Sequence, residues 1–511
     1  MDQLNSIAKG IQRGLDSGPE DGPFYERLAR VIEAMVGAGD FAAGMRLPAS
    51  RDLAAALGRH RTTIVEAYHL LARRGVVEAG VGRGTFIKEP RPGTAVGGVF
   101  PWTEIYGHEE GGLEIEDILS HESPAPGGET PISLSGAIPD PDLFPMADFQ
   151  KVLVRVVKRE GSEVLRYAPT EGIRSLREQV ALRLSARGTP VDPDRVLIVQ
   201  GSQQGLDLVA RTLLRPGDLV AVESPTYAHA LALLRSLGVR LVPVPLDDKG
   251  IRVDMLERVA ARESIRLLYT MPTFQNPTGL TQPLDRRKEL LEAAGRWGIP
   301  VLEDHFDAEL RFAGESLPTL KSLDRRDQVI LLGTFSKILF PGLRVGWLVV
   351  PGALQGPLVR LIRSSALSTS RLSQEILAEF CRQRLLDRHL EAVCGVYASR
   401  REALLRAMEE FFPESTRWTH PRDGGMTLWV TLPEGLNAVS IAVEARRAGV
   451  LVAPGPLFFV EGGQRHLSLS STAESQERIR EGVRRLGEIL HGALDRAERR
   501  PGRGAEVGPL V

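Results

Sequence analysis

The sequence has little cysteine and no long apolar run. Its 511 residues include two cysteines, Cys381 and Cys394, which are too few for a disulfide framework or a cysteine-rich metal site and suit a reducing cytoplasm. The first residues lack the apolar stretch of a signal peptide, and no apolar run is long enough to cross a bilayer. The net charge of −1 gives no overall polyelectrolyte signal. We therefore expect a cytoplasmic protein that has no membrane span and no metal site.

Length and composition predict a globular protein with more than one domain. Hydrophobic residues make up 42% of the chain and charged residues 25%, which is ordinary for such proteins. A chain of 511 residues exceeds what one hydrophobic core usually accommodates. Residues 90–130 are rich in proline and glycine and show little periodicity, which is typical of a linker. We predict a head at 22–89, this linker at 90–130, a body at 131–495 and a disordered tail at 496–511.

The head shows the pattern of three short helices followed by a hairpin. Apolar residues recur at helical spacing in the first and third helices. They are Tyr25, Leu28, Ile32 and Met35 in the first, and Ile64, Tyr68 and Leu71 in the third. The second helix has Ser50 as a candidate N-cap. Two helices joined by a tight turn, the second basic at its start, suit the major groove of DNA, whereas a small solvated helical domain is the plainer alternative.

The local charge favours DNA binding over a small solvated helical domain. Residues 22–89 hold ten Lys and Arg against seven Asp and Glu, so the head is positive while the rest of the chain is negative. Side chains at a helix entry can reach phosphates and base edges, and a hairpin tip can reach an adjacent groove. The candidate DNA-contacting residues are Ser50, Arg51, Arg59, Arg61, Thr62, Thr63 and, at the hairpin tip, Arg83.

The order of these elements is more specific than any one of them. A helix, the run RLPASRDLAAALG, the basic helix and the run GVGRGTFI follow one another between residues 22 and 89. This order resembles the winged-helix domain of the GntR family of bacterial regulators, and the resemblance implies a winged helix-turn-helix that binds DNA. His60 departs from the family pattern, which has serine as the cap of the recognition helix.

The body alternates helical stretches with short apolar strands. Six such strands are RVLIVQG, DLVAVES, IRLLYTMP, PVLEDH, QVILLGT and RVGWLVV. This alternation predicts an open α/β sheet with helices on both faces, which binds ligands beyond the carboxyl ends of its strands. Polar residues that could hold an aldehyde cofactor follow several of these strands. The body is therefore the candidate site of chemistry.

Lys337 stands out because a lysine can form a Schiff base with an aldehyde. A pyridine cofactor also needs a carboxylate at its ring nitrogen, a ring to stack on, and N–H groups, hydroxyls and an arginine for its phosphate. Each of these residue types has a plain structural explanation by itself, but the ordered set is harder to explain in that way. The candidates are Lys337 for the Schiff base, Asp304 for the ring nitrogen, Tyr227 for stacking, Asn276 for a ring oxygen, and Gly201, Ser202, Gln203, Thr334, Ser336 and Arg344 for the phosphate.

This order and spacing resemble the fold-type I aminotransferases, which use pyridoxal 5'-phosphate. The resemblance runs from about residue 131 to about residue 490. It implies that Lys337 is the lysine of the internal aldimine and that Asp304 is the partner of the pyridine nitrogen. Tyr167, in the run RYAPTEGIRSLREQ, resembles the tyrosine that reaches the phosphate of the neighbouring subunit. The resemblance therefore implies a homodimer.

Two positions depart from the aminotransferase pattern. Phe306 and Asp307 stand where related proteins have a tyrosine that touches the cofactor oxygen. Ser468 stands where they have an arginine that grips the substrate carboxylate. Arg465 is three residues away, so on a strand it is expected to point to the opposite face. Efficient turnover of ordinary α-amino acids is therefore not expected.

The head and body together resemble the MocR/GabR-type subfamily of GntR-family regulators. This resemblance implies a homodimer whose heads lie near the partner's body, and which binds double-stranded operator DNA. It also implies sensing of a small amine or amino-acid-like effector through an aldimine at Lys337. Two alternatives stay open. One is an active aminotransferase that carries a DNA-binding head, and the other is a repressor whose body serves only for dimerisation or binds pyridoxal phosphate itself as the effector.

Overall fold

The computed structural model describes residues 2–17, 22–37, 40–42, 44–80, 84–88, 130–421 and 423–498. The chain divides into two compact units, Met1–His108 and Glu109–Val511. Arg83, residues 90–129 of the predicted linker and residues 499–511 of the predicted tail lie outside the described residues. None of the described helices combines the length and the apolar character needed to cross a bilayer.

The described residues of the first unit form four helices and a β-hairpin. Strands β1 and β2 pair antiparallel, with Val77 opposite Ile87. The elements are α1 (Asp2–Ser17), α2 (Phe24–Gly37), α3 (Ser50–Ala56), α4 (Arg61–Arg73), β1 (Val77–Gly80) and β2 (Gly84–Ile87). This is the helical and hairpin arrangement predicted for the head.

The apolar stripes of the head form its core, as predicted. Leu28 and Ile32 of α2 and Ile64 and Leu71 of α4 are fully buried in one cluster. Tyr68 also faces this core, and its hydroxyl donates to the carbonyl of Pro48 at 2.8 Å. The recognition helix is thus held by its apolar face, which leaves the opposite face to solvent.

Two details of the head differ from the sequence prediction. Helix α1 was not predicted, although its Ile7, Ile11 and Leu15 recur every four residues and are buried in the core of the head. This helix precedes residue 22, and the bounds of the head stay a prediction. The predicted cap of α3 was wrong, because Ser50 is its first residue and Ala49, which has no side-chain oxygen, occupies the cap position.

The second unit is built on an eight-stranded sheet with the order β4–β11–β10–β9–β8–β5–β6–β7. Strands β7 and β11 run antiparallel to their neighbours, and the other pairs are parallel. The strands are β4 (Val196–Val199), β5 (Leu219–Ser224), β6 (Arg240–Asp247), β7 (Gly250–Ile251), β8 (Ile265–Thr270), β9 (Val301–His305), β10 (Val329–Thr334) and β11 (Gly346–Val349). All six predicted strands are confirmed, and the sheet adds β6 and β7 to them.

A smaller lobe adds a four-stranded sheet with the order β12–β13–β16–β15 and a parallel pair of β3 and β14. These strands are β3 (Ile132–Ser133), β12 (Arg417–Trp418), β13 (Thr427–Thr431), β14 (Val450–Leu451), β15 (Ala453–Pro454) and β16 (His466–Ser470). The helices of the body are α5 (Met146–Glu160), α6 (Arg174–Ala186), α7 (Ser202–Leu213), α8 (Ala228–Ser236), α9 (Val253–Ala260), α10 (Leu284–Trp297), α11 (Leu320–Leu323), α12 (Gly352–Ala366), α13 (Arg371–Arg382), α14 (Leu385–Phe411), α15 (Ala438–Arg447) and α16 (Gln476–Glu498).

Helix α14 joins the two lobes of the body. Leu390 and Val393 in its first half belong to the core around the large sheet, whereas Leu404 and Met408 in its second half belong to the core of the smaller lobe. The last helix, α16, extends to Glu498, so residues 496–498 of the predicted tail are helical.

Candidate functional site

A cavity of about 570 Å³ lies at the carboxyl ends of the central strands of the large sheet. Five of the predicted site residues line it, although they come from widely separated parts of the sequence. They are Ser202, Tyr227, Asn276, Asp304 and Lys337. The smaller lobe contributes β13, β15 and β16 to the same cavity. The site therefore lies where open α/β sheets bind ligands, and both lobes of the body enclose it.

Lys337 lies three positions beyond the end of β10, and its Nζ donates to the carbonyl of Ala137 at 2.7 Å. Burial lowers the pKa of Lys337 from 10.5 to about 8, and the nearby Arg344 acts in the same direction, while Asp307 opposes it. An amine can attack an aldehyde only in its neutral form. The environment of Lys337 therefore increases the neutral fraction of this amine near neutral pH.

Asp304 faces the same cavity from β9, and only one of its two carboxylate oxygens accepts a hydrogen bond from the described residues. Its Oδ2 accepts a hydrogen bond from the hydroxyl of Tyr269 at 2.8 Å. Its Oδ1 is buried and has no partner among the described residues. Burial raises the pKa of Asp304 to about 7. A buried acceptor without a partner costs free energy, so a ligand N–H at Oδ1 would be stabilised there.

A second group of residues fits a phosphate. Gly201 has a φ of +86° and caps α7, so the N-terminus of this helix opens at Ser202. Arg344 lies against it, with Nη2 donating to the carbonyl of Gln200 at 3.4 Å. A Cβ at Gly201 would lie 2.8 Å from Nη2 of Arg344. The buried Oγ of Ser336 has no hydrogen-bond partner among the residues that the structure describes. A helix N-terminus, a guanidinium and a hydroxyl are the groups that bind phosphates in proteins.

Two other predicted phosphate ligands use their side chains differently. Nε2 of Gln203 donates to the carbonyl of His229 at 3.3 Å. Oγ1 of Thr334 donates to the carbonyl of Val345 at 3.4 Å and accepts from the backbone N–H of Ser336 at 3.1 Å. Both side chains therefore hold neighbouring loops in place, and direct phosphate contact by either stays a prediction.

The loop that carries Asn276 is fixed by a buried network that the sequence did not reveal. Oε1 of Gln275 accepts from the N–H of Thr278 at 3.0 Å, and its Nε2 donates to Glu223 at 3.0 Å. Burial raises the pKa of Glu223 to about 7. Tyr269, the partner of Asp304, was also missed. The sequence showed only a polar or aromatic residue at each strand end. Such a residue does not reveal which residue of another strand it contacts.

Tyr167 does not line the cavity that contains Lys337. Its side chain is 79% exposed, and that of the nearby Leu165 is 81% exposed. Met146, Val154 and Val157 of α5 are also large apolar side chains on the surface. Exposed apolar side chains of this size mark interaction surfaces when they cluster. The position of Tyr167 suits a contact with another chain.

The two departures from the aminotransferase pattern, at Phe306 and Asp307 and at Ser468, lie at or near the cavity. Ser468 lines the cavity from β16. Arg465 precedes that strand, and its Nε and Nη2 donate to the carbonyl of Leu432 at 3.3 and 3.0 Å. Phe306 lines the cavity, whereas Asp307 accepts the N–H of Met426 at 3.2 Å. None of these residues supplies a phenol or a guanidinium to the cavity.

Four of the predicted DNA-binding residues, Arg59, Arg61, Thr62 and Thr63, lie at the start of α4, whereas Ser50 and Arg51 begin α3 and Arg83 lies outside the described residues. Arg51, Arg59, Arg61 and Thr62 are exposed, and Thr63 is half-buried. The guanidinium of Arg59 stacks over a phenylalanine ring of α2 at 4.3 Å from the ring centre. This contact holds it beside the recognition helix. Ser50 is half-buried at the start of α3.

The cap position of α4 is occupied by the exposed His60, which makes no side-chain cap. The N-terminus of the recognition helix therefore depends on other groups for its free N–H donors. Across the described residues of both units, no group of three or more His, Cys, Asp and Glu side chains is arranged to hold a metal ion.

Two family models match the chain. The model for bacterial regulatory proteins of the gntR family matches residues 24–87, and the model for aminotransferase class I and II matches residues 137–486. The class of protein is therefore a helix-turn-helix DNA-binding domain joined to a fold-type I aminotransferase body.

Relatives of two kinds cover different shares of the chain. A 2-aminoadipate transaminase of Thermus thermophilus is 39% identical over 77% of this chain and 98% of its own. The crystal structure of LysN, an α-aminoadipate aminotransferase of Thermus thermophilus complexed with N-(5'-phosphopyridoxyl)-L-leucine, has a TM-score of 0.70 and 37% identity, and the match covers 78% of this chain and 100% of that one. A probable rhizopine catabolism regulatory protein, MocR, of Rhizobium meliloti is 29% identical over 91% of this chain and 93% of its own. The chain belongs to the MocR-type regulators of the GntR family, in which an aminotransferase class I and II domain follows the helix-turn-helix.

Proposed function

We propose that this regulator binds pyridoxal 5'-phosphate and senses a primary amine at Lys337. The observation that carries the proposal is the pairing, in one cavity, of a buried lysine of lowered pKa with a buried carboxylate that has an unused oxygen. Lys337 would bind the aldehyde carbon, and Oδ1 of Asp304 would accept from the ring N–H. The ring would stack on Tyr227, with Asn276 at its phenolic oxygen.

The phosphate would lie at the N-terminus of α7. Ser202 would bind it there, together with the unpartnered hydroxyl of Ser336 and the guanidinium of Arg344. When bound, pyridoxal phosphate supplies an electrophilic carbon that links reversibly to a primary amine. Nζ of Lys337 would hold the cofactor, and it would take up the proton that an amine effector releases when the effector replaces it.

This exchange would be transmitted to DNA through a homodimer. The exposed Tyr167 would reach the phosphate site of the partner subunit, and the apolar surface around it would be covered. A ligand shifts an equilibrium only through its different affinities for two states. The exchange at Lys337 would therefore favour one arrangement of the two heads, and the dimer would bind a pair of DNA half-sites more or less tightly.

The test is the absorption spectrum of the purified protein with pyridoxal phosphate, measured beside the Lys337→Ala variant. We expect a cofactor band in the wild type that is shifted or lost in the variant, and amines that change both this band and the gel shift of operator DNA. Identical spectra for the two proteins would contradict cofactor attachment at Lys337. Amines without any effect on DNA affinity or footprint would contradict sensing.

A second candidate function is an active aminotransferase with a DNA-binding head. The body favours it through its 39% identity to a transaminase and through its intact pair of Lys337 and Asp304. The cavity opposes it through Ser468, which supplies no charge for a carboxylate. Steady conversion of an amino donor and a keto acid, lost in Lys337→Ala, would decide for the enzyme.

A further inference from the structure

The smaller lobe forms one end of the cavity, which combines apolar walls with hydroxyls. Leu457 and Phe458 line it from the segment between β15 and β16, and Ile138 and Ser135 line it from the segment after β3. The ring of Phe458 packs edge-on against Trp429 at 5.6 Å, which fixes this wall. Two further hydroxyls, those of Thr427 and Ser468, lie on paired strands. This composition predicts a ligand with an apolar body.

Charge at this end of the cavity is as informative as shape. Among the described residues that line the cavity, the acidic and basic side chains are His229, Asp304 and Lys337, and Lys337 would be engaged by the cofactor. Arg465 is bound to the carbonyl of Leu432, and its Nη1 lies 3.7 Å from Glu434. A carboxylate brought into this space would lose its water, gain no cation, and share the cavity with the carboxylate of Asp304.

The two hydroxyls favour a neutral polar group instead. Strands β13 and β16 pair antiparallel, with Thr427 opposite Ser470 and Trp429 opposite Ser468. Thr427 and Ser468 are therefore diagonal neighbours on one face of the sheet, and both line the cavity. Oγ1 of Thr427 is buried and has no hydrogen-bond partner in the part of the chain that the structure describes. Hydroxyls both donate and accept, so they match a ligand hydroxyl or amide without needing charge.

We propose that the effector is a primary amine that carries no carboxylate beside its amino group. The apolar body of this amine packs against Leu457 and Phe458. Any polar group beside the amino group is neutral and contacts Ser468 and Thr427. This inference rests on the proposed function, because the amine must reach the carbon that Lys337 holds. It adds that the site discriminates against amino acids.

The test compares three amines that share one body and differ at one group: phenethylamine, L-phenylalaninol and L-phenylalanine. Each is titrated into the full-length protein loaded with pyridoxal phosphate, and the change in the cofactor band gives an apparent Kd. We expect phenethylamine and phenylalaninol to bind at least roughly tenfold more tightly than phenylalanine. Phenylalanine brings a carboxylate into the cavity, where it has no cationic partner. The gel shift of operator DNA with the same amines gives an independent readout.

A pair of variants at one position sharpens the test. Ser468→Arg supplies the missing guanidinium, so we expect phenylalanine to become the tightest ligand of the three. Ser468→Ala removes the hydroxyl without adding charge, so we expect it to weaken phenylalaninol alone and to keep the preference against phenylalanine. The wild-type series decides the question if Ser468→Arg fails to fold.

The outcomes distinguish a failure of this inference from a failure of the proposed function. Tighter binding of phenylalanine than of phenethylamine by the wild type would overturn the inference and leave cofactor binding and amine sensing intact. A cofactor band that depends on Lys337 but responds to none of the three amines would also overturn it. Absence of any band that depends on Lys337 would instead overturn the proposed function.

Discussion

The pKa of Lys337 makes a quantitative prediction about cofactor loading. Burial lowers this pKa from 10.5 to about 8, and Arg344 contributes in the same direction. At pH 7.5 a lysine of pKa 8 is about one quarter neutral, whereas an ordinary lysine is neutral in about one molecule in a thousand. Only the neutral amine attacks an aldehyde. We therefore expect the apoprotein to capture pyridoxal phosphate roughly two hundred times faster at this pH than an exposed lysine does.

The assay is stopped-flow absorbance of apoprotein mixed with pyridoxal phosphate between pH 6 and pH 10. Because the neutral form of Lys337 increases as the pH rises, the capture rate should increase with pH and level off just above pH 8. Borohydride reduction followed by peptide mass spectrometry assigns the modified lysine, and Lys337→Ala controls for capture elsewhere. A rate that keeps rising to pH 10, with Lys337 as the modified residue, would refute the reasoning from burial.

Three further changes test other parts of the structure. Asp304→Asn removes the charge that would face the ring nitrogen, so an absorbance titration should show pyridoxal phosphate binding weakened roughly tenfold or more. Arg61→Ala should weaken DNA binding in a gel shift and flatten its salt dependence, and the cofactor spectrum should stay unchanged. Gly333→Ala would place a Cβ 2.1 Å from the ring of Trp347, so denaturant unfolding should show a loss of roughly 1–3 kcal/mol. Gly395→Ala, in α14 where a Cβ meets nothing, should instead be neutral or stabilising.

The sequence predicted the central strands and the candidate site residues that follow them, because both are local signals. A short apolar run bounded by turn residues is visible without any partner strand, and Lys337 and Asp304 each follow such a run. The departure at Ser468 was equally visible. The structure then placed Ser468 in the cavity, whereas Arg465 precedes β16 and donates to the carbonyl of Leu432.

The rest depended on contacts between distant segments. Tyr269 reaches Asp304 because β8 and β9 are neighbours in the sheet, and strand order is not readable from a single strand. Glu223 and Gln275 meet across the ends of β5 and β8 for the same reason. The predicted cap of α3 was wrong by one position, because a sequence pattern does not define a helix end to the exact residue.

The composition of the cavity also bears on why sensing is favoured over turnover. A transaminase handles an amino acid and a keto acid in turn, and each of them carries a carboxylate. A cavity without a cation at Ser468 therefore penalises both half-reactions, whereas a sensor has to bind only one amine. Under the proposed function, exchange at Lys337 would need no carboxylate grip, because the lowered pKa and the carboxylate of Asp304 belong to the other end of the cavity. A serine in place of the arginine would thus remove a requirement of catalysis and keep the reversible amine chemistry proposed for this regulator.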